Sequence, residues 1–322
     1  MARRQSAWAG LDGLGADVAL VQEAGAPGPE LALRAFPGAA GGWETALPGG
    51  RPRWRTAVVR LTDRVEVRPR AAVTLEAATS YDDWVVSRAG SIAAADVVTG
   101  GEIAFTAVSV YAAWDKVGAR GRGYADGSAH RILSDLSALM VRPEHRLVVA
   151  GDWNLLRGYG EDGDGYWKAR YDTVFERAEA LGLRFVGPQY PHGRQADPWP
   201  GELPRDSLCV PTFHHSRQNP ASATRQLDFV FASTSIADRI EVRALNTPEA
   251  WGPSDHCRVV IDAVRRKPGF ATGSNGTASI HTGRTAKHRP GRSEGSHRAL
   301  VLVRPRHRPR LDVSTVWFVP HL

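Results

Sequence analysis

The sequence predicts an α+β fold of packed sheets flanked by helices. Three observations lead there: seven apolar runs of strand length, two stretches with helical spacing, and 42% hydrophobic residues in a chain of 322. The strand-like runs are 17–22 (DVALVQ), 54–60, 92–98, 103–111, 146–151, 227–232 and 257–264. They are rich in Val, Ala, Ile and Phe and are bounded by Gly, Pro, Asp or Ser, residues that favour turns. Several are apolar on both faces, which predicts sheets covered on both sides. Between them, Ile132, Leu133, Leu136, Leu139 and Met140 share one face of a helix over 128–141. Tyr171, Val174, Phe175, Ala178 and Leu181 do the same over 170–182. Residues 187–226 are rich in Pro, His, Arg and Gln and show little periodicity. They read as a long ordered loop, either functional or a surface excursion.

Charge divides the chain. The overall net charge is +7, but residues 265–322 hold 12 of the 41 Lys+Arg and only 2 of the 34 Asp+Glu. The remainder, with 29 and 32, carries a net of −3. The basic character therefore belongs to the tail, and the overall pI is no argument for nucleic-acid binding by the folded part. Gly, Ser, Thr, His and Arg dominate the tail up to Ala299, with no apolar period. The expected boundaries are a folded domain over 1–266 and a basic, low-complexity, disordered tail over 267–322.

No apolar run reaches about 18 residues, so no membrane span is predicted. The start lacks the apolar stretch of a secretory signal. Two cysteines, Cys209 and Cys257, do not make a disulfide framework. A cytoplasmic monomer is the resulting expectation.

Five short features could carry chemistry. Gly151-Asp152-Trp153-Asn154 closes the run RLVVA. Residues i and i+2 of an extended chain point the same way, so Asp152 and Asn154 project together. A carboxylate can take a proton from water, and an amide can donate to a phosphate oxygen. The same tetrapeptide also suits a plain strand-ending turn. Ser254-Asp255-His256 precedes the run CRVVIDAV and supplies a hard-cation ligand beside an imidazole, or else only a cap. Asp228 lies inside the apolar LDFVF, where burying a carboxylate is costly without a partner. His256 is a candidate partner, and an edge strand with Asp228 in solvent is the alternative. Gln22-Glu23 closes DVALV with a strand-end carboxylate suited to Mg²⁺, or simply begins a loop. Tyr111 ends FTAVSVY, where its phenol could contact phosphate or only pack.

Singly these features are weak, but their order is specific. An acidic strand end, an aromatic strand end, GDxN, LDxxF and SDH follow one another over residues 17–264. That set resembles the endonuclease/exonuclease/phosphatase superfamily, the deoxyribonuclease I-like proteins. The resemblance implies a four-layer α/β/β/α sandwich of two packed sheets with helices on the outer faces. It implies a phosphoesterase that cleaves phosphodiester bonds, in nucleic acid, by metal-assisted attack of water. In that scheme Glu23 and Asp255 serve the metal, Mg²⁺ or alternatively Mn²⁺. Asp152 orients or deprotonates the water, and Asn154 holds the phosphate. His256, paired with Asp228, stabilises the transition state, and Tyr111 stands at a position that varies between His and Tyr.

One departure is visible. Family members begin with a strand ending in Asn, often as Trp-Asn, next to the metal. Here the first Asn in the chain is Asn154 and sixteen residues precede the first predicted strand, so that strand is expected to be absent. Two other functions share these residues: a phosphomonoesterase acting on a small or lipid-linked phosphate, and a non-catalytic domain whose basic tail binds nucleic acid.

Overall fold

The computed structural model describes residues 8, 10, 11, 15–38, 43, 55–116, 123–215, 217–263 and 314–319. In chain order the strands are β1 Val18–Ala24, β2 Ala35–Pro37, β3 Arg55–Arg60, β4 Glu66–Arg70, β5 Ala72–Val73, β6 Trp84–Val85, β7 Ile92–Thr99 and β8 Glu102–Tyr111. They continue as β9 Asp115–Lys116, β10 Gly123–Tyr124, β11 Leu147–Asp152, β12 Leu183–Gly187, β13 Asp228–Ser233, β14 Ile240–Leu245, β15 Arg258–Ala263 and β16 Ser314–Val319. Twelve of them build two six-stranded sheets, ordered β14-β15-β16-β1-β3-β2 and β12-β13-β11-β8-β7-β4.

The two sheets pack face to face. Val18, Leu20, Val58 and Ile261 of the first meet Ala95, Ala107, Val148, Ala150 and Val230 of the second. Successive side chains of a strand alternate between faces, so the other half of each strand must be covered as well. On the second sheet Val108, Val149, Phe229 and Phe231 are covered by the helices Asp126–Leu136 and Gly165–Ala180, through Ile132, Leu133, Tyr171 and Val174. On the first, Ala19, Val21, Ala57 and Val59 lie beneath Trp8, Leu11 and Leu31, the last in the short helix Pro29–Ala32. These layers form the four-layer sandwich, and they explain why the central strands read as unbroken apolar runs.

All seven expected strands form. The first helix ends at Leu136 and tightens into a 3-10 turn over Ser137–Met140. The second begins earlier than its apolar spacing indicates, because the Asp164 side chain caps it by accepting the Tyr166 N–H at 2.8 Å.

The C-terminal boundary needs correction. Residues 314–319, expected in a tail outside the fold, form β16 in the middle of the first sheet. The strand pairs parallel with β1, Val18 opposite Val316 and Val21 opposite Val319. It pairs antiparallel with β15, Val259 opposite Phe318 and Ala263 opposite Ser314. Val316 is fully buried between the sheets. The rest of the expected tail, 267–313 and 320–322, lies outside the described residues.

Candidate active site

The second sheet sets three of the expected residues in a row. Asp152, the last residue of β11, lies opposite Tyr111 of β8 on one side and Asp228 of β13 on the other. Laterally paired residues present their side chains on one face, so the three groups face the same way. That face is the inner one, since Asp152 continues the alternation of Val148 and Ala150. Trp153 points oppositely, into the outer core, where its Nε1–H donates to the Phe229 carbonyl at 3.2 Å.

Gly151 makes this convergence possible. A Cβ there would stand 1.9 Å from the Val110 carbonyl oxygen, so β11 and β8 approach too closely for any side chain. Beyond it the chain turns on Asp152 itself. Asp152 Oδ1 accepts the Asn154 N–H at 2.9 Å and Oδ2 accepts Asn154 Nδ2–H at 3.0 Å. The Asn154 amide also donates to the Ala112 carbonyl at 3.1 Å. Asn154 has φ 50°, a left-handed conformation that Asn tolerates better than most residues. The turn reading of GDWN is thus correct in its geometry, and the turn buries both polar side chains at one strand end.

Glu23 reaches the same place by a different device. In a regular strand it would fall on the outer face with Ala19 and Val21. The pairing of β1 with β3 shifts register between Val21 and Ala24, and Glu23 takes φ 47°. This bulge re-aims the side chain, as bulges do, and the Glu23 carboxylate hydrogen-bonds the Tyr111 side chain. Gln22 anchors the bulge, donating to Ser109 Oγ at 2.7 Å.

His256 enters from the loop before β15. Its Nδ1 lies 2.8 Å from Asp228 Oδ2, and its Nε2 is 3.9 Å from Asp152 Oδ2, beyond hydrogen-bond distance. Ser254 Oγ accepts the His256 N–H at 3.1 Å and sets the turn. Asp228 is wholly buried, so the edge-strand alternative does not hold. Asp255, only half buried, accepts from Ser254 Oγ at 3.3 Å through its carboxylate.

Burial pushes the Asp228 carboxyl above the ordinary carboxylate range, and the adjacent His256 opposes that shift. The Tyr111 phenol is pushed far up, first by burial and then by the Glu23 and Asp152 carboxylates. It therefore stays protonated and able to donate. Arg88 acts on Tyr111 in the opposite sense and lies 3.7 Å from Asp115.

Asp152, Asp228 and His256 offer ligand atoms within 4.8 Å of one another, a spacing at which three groups could share a divalent cation. This group differs from the Glu23–Asp255 pair that the motifs imply. The Asp228–His256 hydrogen bond already joins two of its three members. The oxygen donors of Asp152 and of nearby Glu23 are the chemistry a hard cation prefers.

Three neighbours escaped the sequence reading. Arg88 has no motif around it. Thr212 accepts the N–H groups of Leu227 and Asp228, at 3.0 and 3.2 Å, and fixes the start of β13. The Phe213 ring lies 4.9 Å from the His256 ring, and its backbone bridges to His256. Both lie in the long 187–226 loop, whose unusual length was the available signal. A cavity of about 560 Å³, lined by Arg70, Leu139, Arg142 and His145 among others, lies at the opposite end of β11 and takes no part in this site.

The fold is a four-layer sandwich, and the order of its site residues resembles that of the endonuclease/exonuclease/phosphatase superfamily. Solved structures with a similar fold include the endonuclease domain of TRAS1, a telomere-specific non-LTR retrotransposon, with TM-score 0.49 and 18% identity over 82% of this chain and 95% of that one. An AP endonuclease from Archaeoglobus fulgidus gives 0.49 and 16% over 80% and 93%. The AP endonuclease LMAP from Leishmania major gives 0.48 and 15% over 80% and 81%. No protein-family model matches the chain, and no curated protein does. No helix among the described residues is long and apolar enough to cross a membrane.

Proposed function

We propose that this protein is a divalent-cation-dependent phosphodiesterase that hydrolyses phosphodiester bonds in nucleic acid. The observation that carries the proposal is the convergence of Tyr111, Asp152, Asn154, Asp228 and His256, buried together at one end of the sandwich, with Glu23 turned inward to meet them. Asp152 is the base for water, a carboxylate held in place by the two hydrogen bonds it accepts from Asn154. Asn154 positions that carboxylate, and it holds a phosphate oxygen when one of its two amide N–H groups leaves the Asp152 or the Ala112 acceptor. Asp228 fixes the orientation of the His256 ring, whose other nitrogen faces the charge that develops on the phosphate. The neutral Tyr111 phenol donates a hydrogen bond. Glu23 and Asp255 would hold Mg²⁺ or Mn²⁺, which supplies charge neutralisation at the phosphate and the leaving oxygen.

The test uses the full chain with bis(p-nitrophenyl) phosphate, a DNA oligonucleotide and p-nitrophenyl phosphate in parallel. Turnover of the two diesters with Mg²⁺, its loss with EDTA and in Asp152→Asn, and little action on the monoester are expected. Preferential cleavage of the monoester would move the assignment to the phosphatase reading. Inactivity of the native chain on all three would leave a non-catalytic domain.

A further inference from the structure

We infer that β16 is a positioning strand for the candidate active site: Ser314–Val319 holds the strand that carries Glu23 at a fixed spacing from the strand that follows His256. This inference rests on the catalytic reading above, and part of its test does not.

The two strands concerned, β1 and β15, do not pair with each other; β16 lies between them and pairs with both. Their registers combine into rows. Leu20, Phe318 and Val259 form one, and Val18, Val316 and Ile261 another. The C-terminal end of β16, at Val319, is level with Val21. Glu23 stands two residues beyond Val21, and His256 three before Val259. The strand thus ends where β1 and the loop before β15 deliver their site residues.

Each segment is tied separately to the second sheet, Gln22 through Ser109 and His256 through Asp228. Within the first sheet their spacing is set by β16, at two strand separations of about 4.8 Å each. Removal of β16 would leave β1 with a row of unpaired N–H and C=O groups, although its residues from Val18 to Gln22 are fully buried. Buried backbone groups do not stay unpaired, so β1 and β15 would shift, draw together or open to water. Each of these moves the bulge at Glu23 against His256. The strand reaches its slot from beyond the basic, Gly- and Ser-rich 265–312 segment. A sequence element far from every motif therefore completes the site.

The experiment compares full-length Val316→Asp, Val316→Ala and Val316→Ile with the native chain. Backbone hydrogen exchange is followed across both sheets, together with the downfield proton of the Asp228–His256 hydrogen bond and the kcat and KM for bis(p-nitrophenyl) phosphate. A charge at Val316 is expected to raise exchange at least tenfold in Val18–Val21 and Val259–Ile261 while β11 and β13 stay protected. The downfield proton should broaden or vanish, and kcat should fall at least tenfold with a smaller change in KM. Val316→Ala should give an intermediate effect with the fold intact, and Val316→Ile should restore native behaviour in all three readouts. Unchanged exchange at β1 and β15 would remove β16 from the sheet. Raised exchange there with an unchanged proton signal and unchanged kcat would make the strand structural only and overturn the positioning role. If the native chain hydrolyses nothing, the catalytic reading falls, and the exchange pattern with the proton signal still decides the place and effect of β16.

Discussion

At the residue scale the site combines groups whose ordinary behaviour burial alters. Asp228 is fully buried, and burial disfavours its charged form, so its presence costs stability unless His256 offsets it. Asp228→Asn keeps the shape and an acceptor for His256 Nδ1. It should lower kcat on the order of 10²-fold, a size typical of electrostatic groups at such sites, without lowering the unfolding midpoint. His256→Ala should cost at least as much in kcat. The double variant should lose far less than the product of the two, because the pair acts as a unit. Fully multiplicative losses in that cycle would mean that the residues work independently. The phenols give a second prediction. Burial raises Tyr111, Tyr159 and Tyr171 above the usual value. A raised folded-state pKa contributes stability below the unfolded value of about 10, and that contribution is lost as pH climbs above it. In an alkaline titration followed at 295 nm, Tyr111, Tyr159 and Tyr171 should ionise only with unfolding. Ionisation of Tyr111 in the folded chain, read as the difference from a Tyr111→Phe variant, would contradict its burial and its hydrogen bond.

At the element scale, site geometry comes from how strands end. Asp152 and Asn154 converge because β11 closes on an Asx turn, and Glu23 points inward because β1 carries a bulge. Gly151 is where this can be tested with no catalytic group touched. Gly151→Ala places a methyl against the Val110 carbonyl, and neither central strand can retreat within a packed sheet. Overpacking of this kind costs about 1–3 kcal/mol. The unfolding midpoint should fall by several degrees, and kcat should fall with it, because Asp152 is the next residue. A midpoint unchanged within error would show that β8 and β11 are less tightly opposed. Strands invisible in the apolar runs also have local causes. β4, Glu66–Arg70, is an edge strand with Pro69 and two exposed arginines, the composition that blunts edges. β14 alternates buried Ile240, Val242 and Ala244 with exposed Glu241 and Arg243, a period-two pattern that a search for continuous apolar runs passes over.

At the scale of the whole molecule, the two sheets are held by apolar side chains from both inner faces, and β16 contributes Val316 to that layer. Removal of residues 267–322, expected from composition to leave stability untouched, should instead destabilise the domain. Burying one valine contributes roughly 1.5–3 kcal/mol, and the ladders on both sides of β16 go with it. For a domain of this size each kcal/mol moves the midpoint by about 2–4 °C. A fall on the order of 10 °C is expected by calorimetry. A midpoint within 2 °C of the full chain would return β16 to the tail.

Seven strands and both covering helices were legible in the amino-acid sequence, and candidate residues for the site could be named from it, because each has a local signature. Unbroken apolar runs must be buried on both faces, helical spacing must face a core, and polar residues at the ends of apolar runs must sit at the rim of that core. The order of Glu23, Tyr111, GDWN, LDFVF and SDH carried the family resemblance without any contact being known. The rest depends on contacts between segments distant in the chain. Whether Asp228 is buried depends on which strands flank β13, and the inward turn of Glu23 depends on a register shift against β3. Thr212 and Phe213 matter only because the long loop folds back onto His256. The place of β16 was the least legible of all. Six residues with no turn partner nearby gain their meaning from β1 and β15, strands far away in sequence whose facing edges have backbone groups that must be paired.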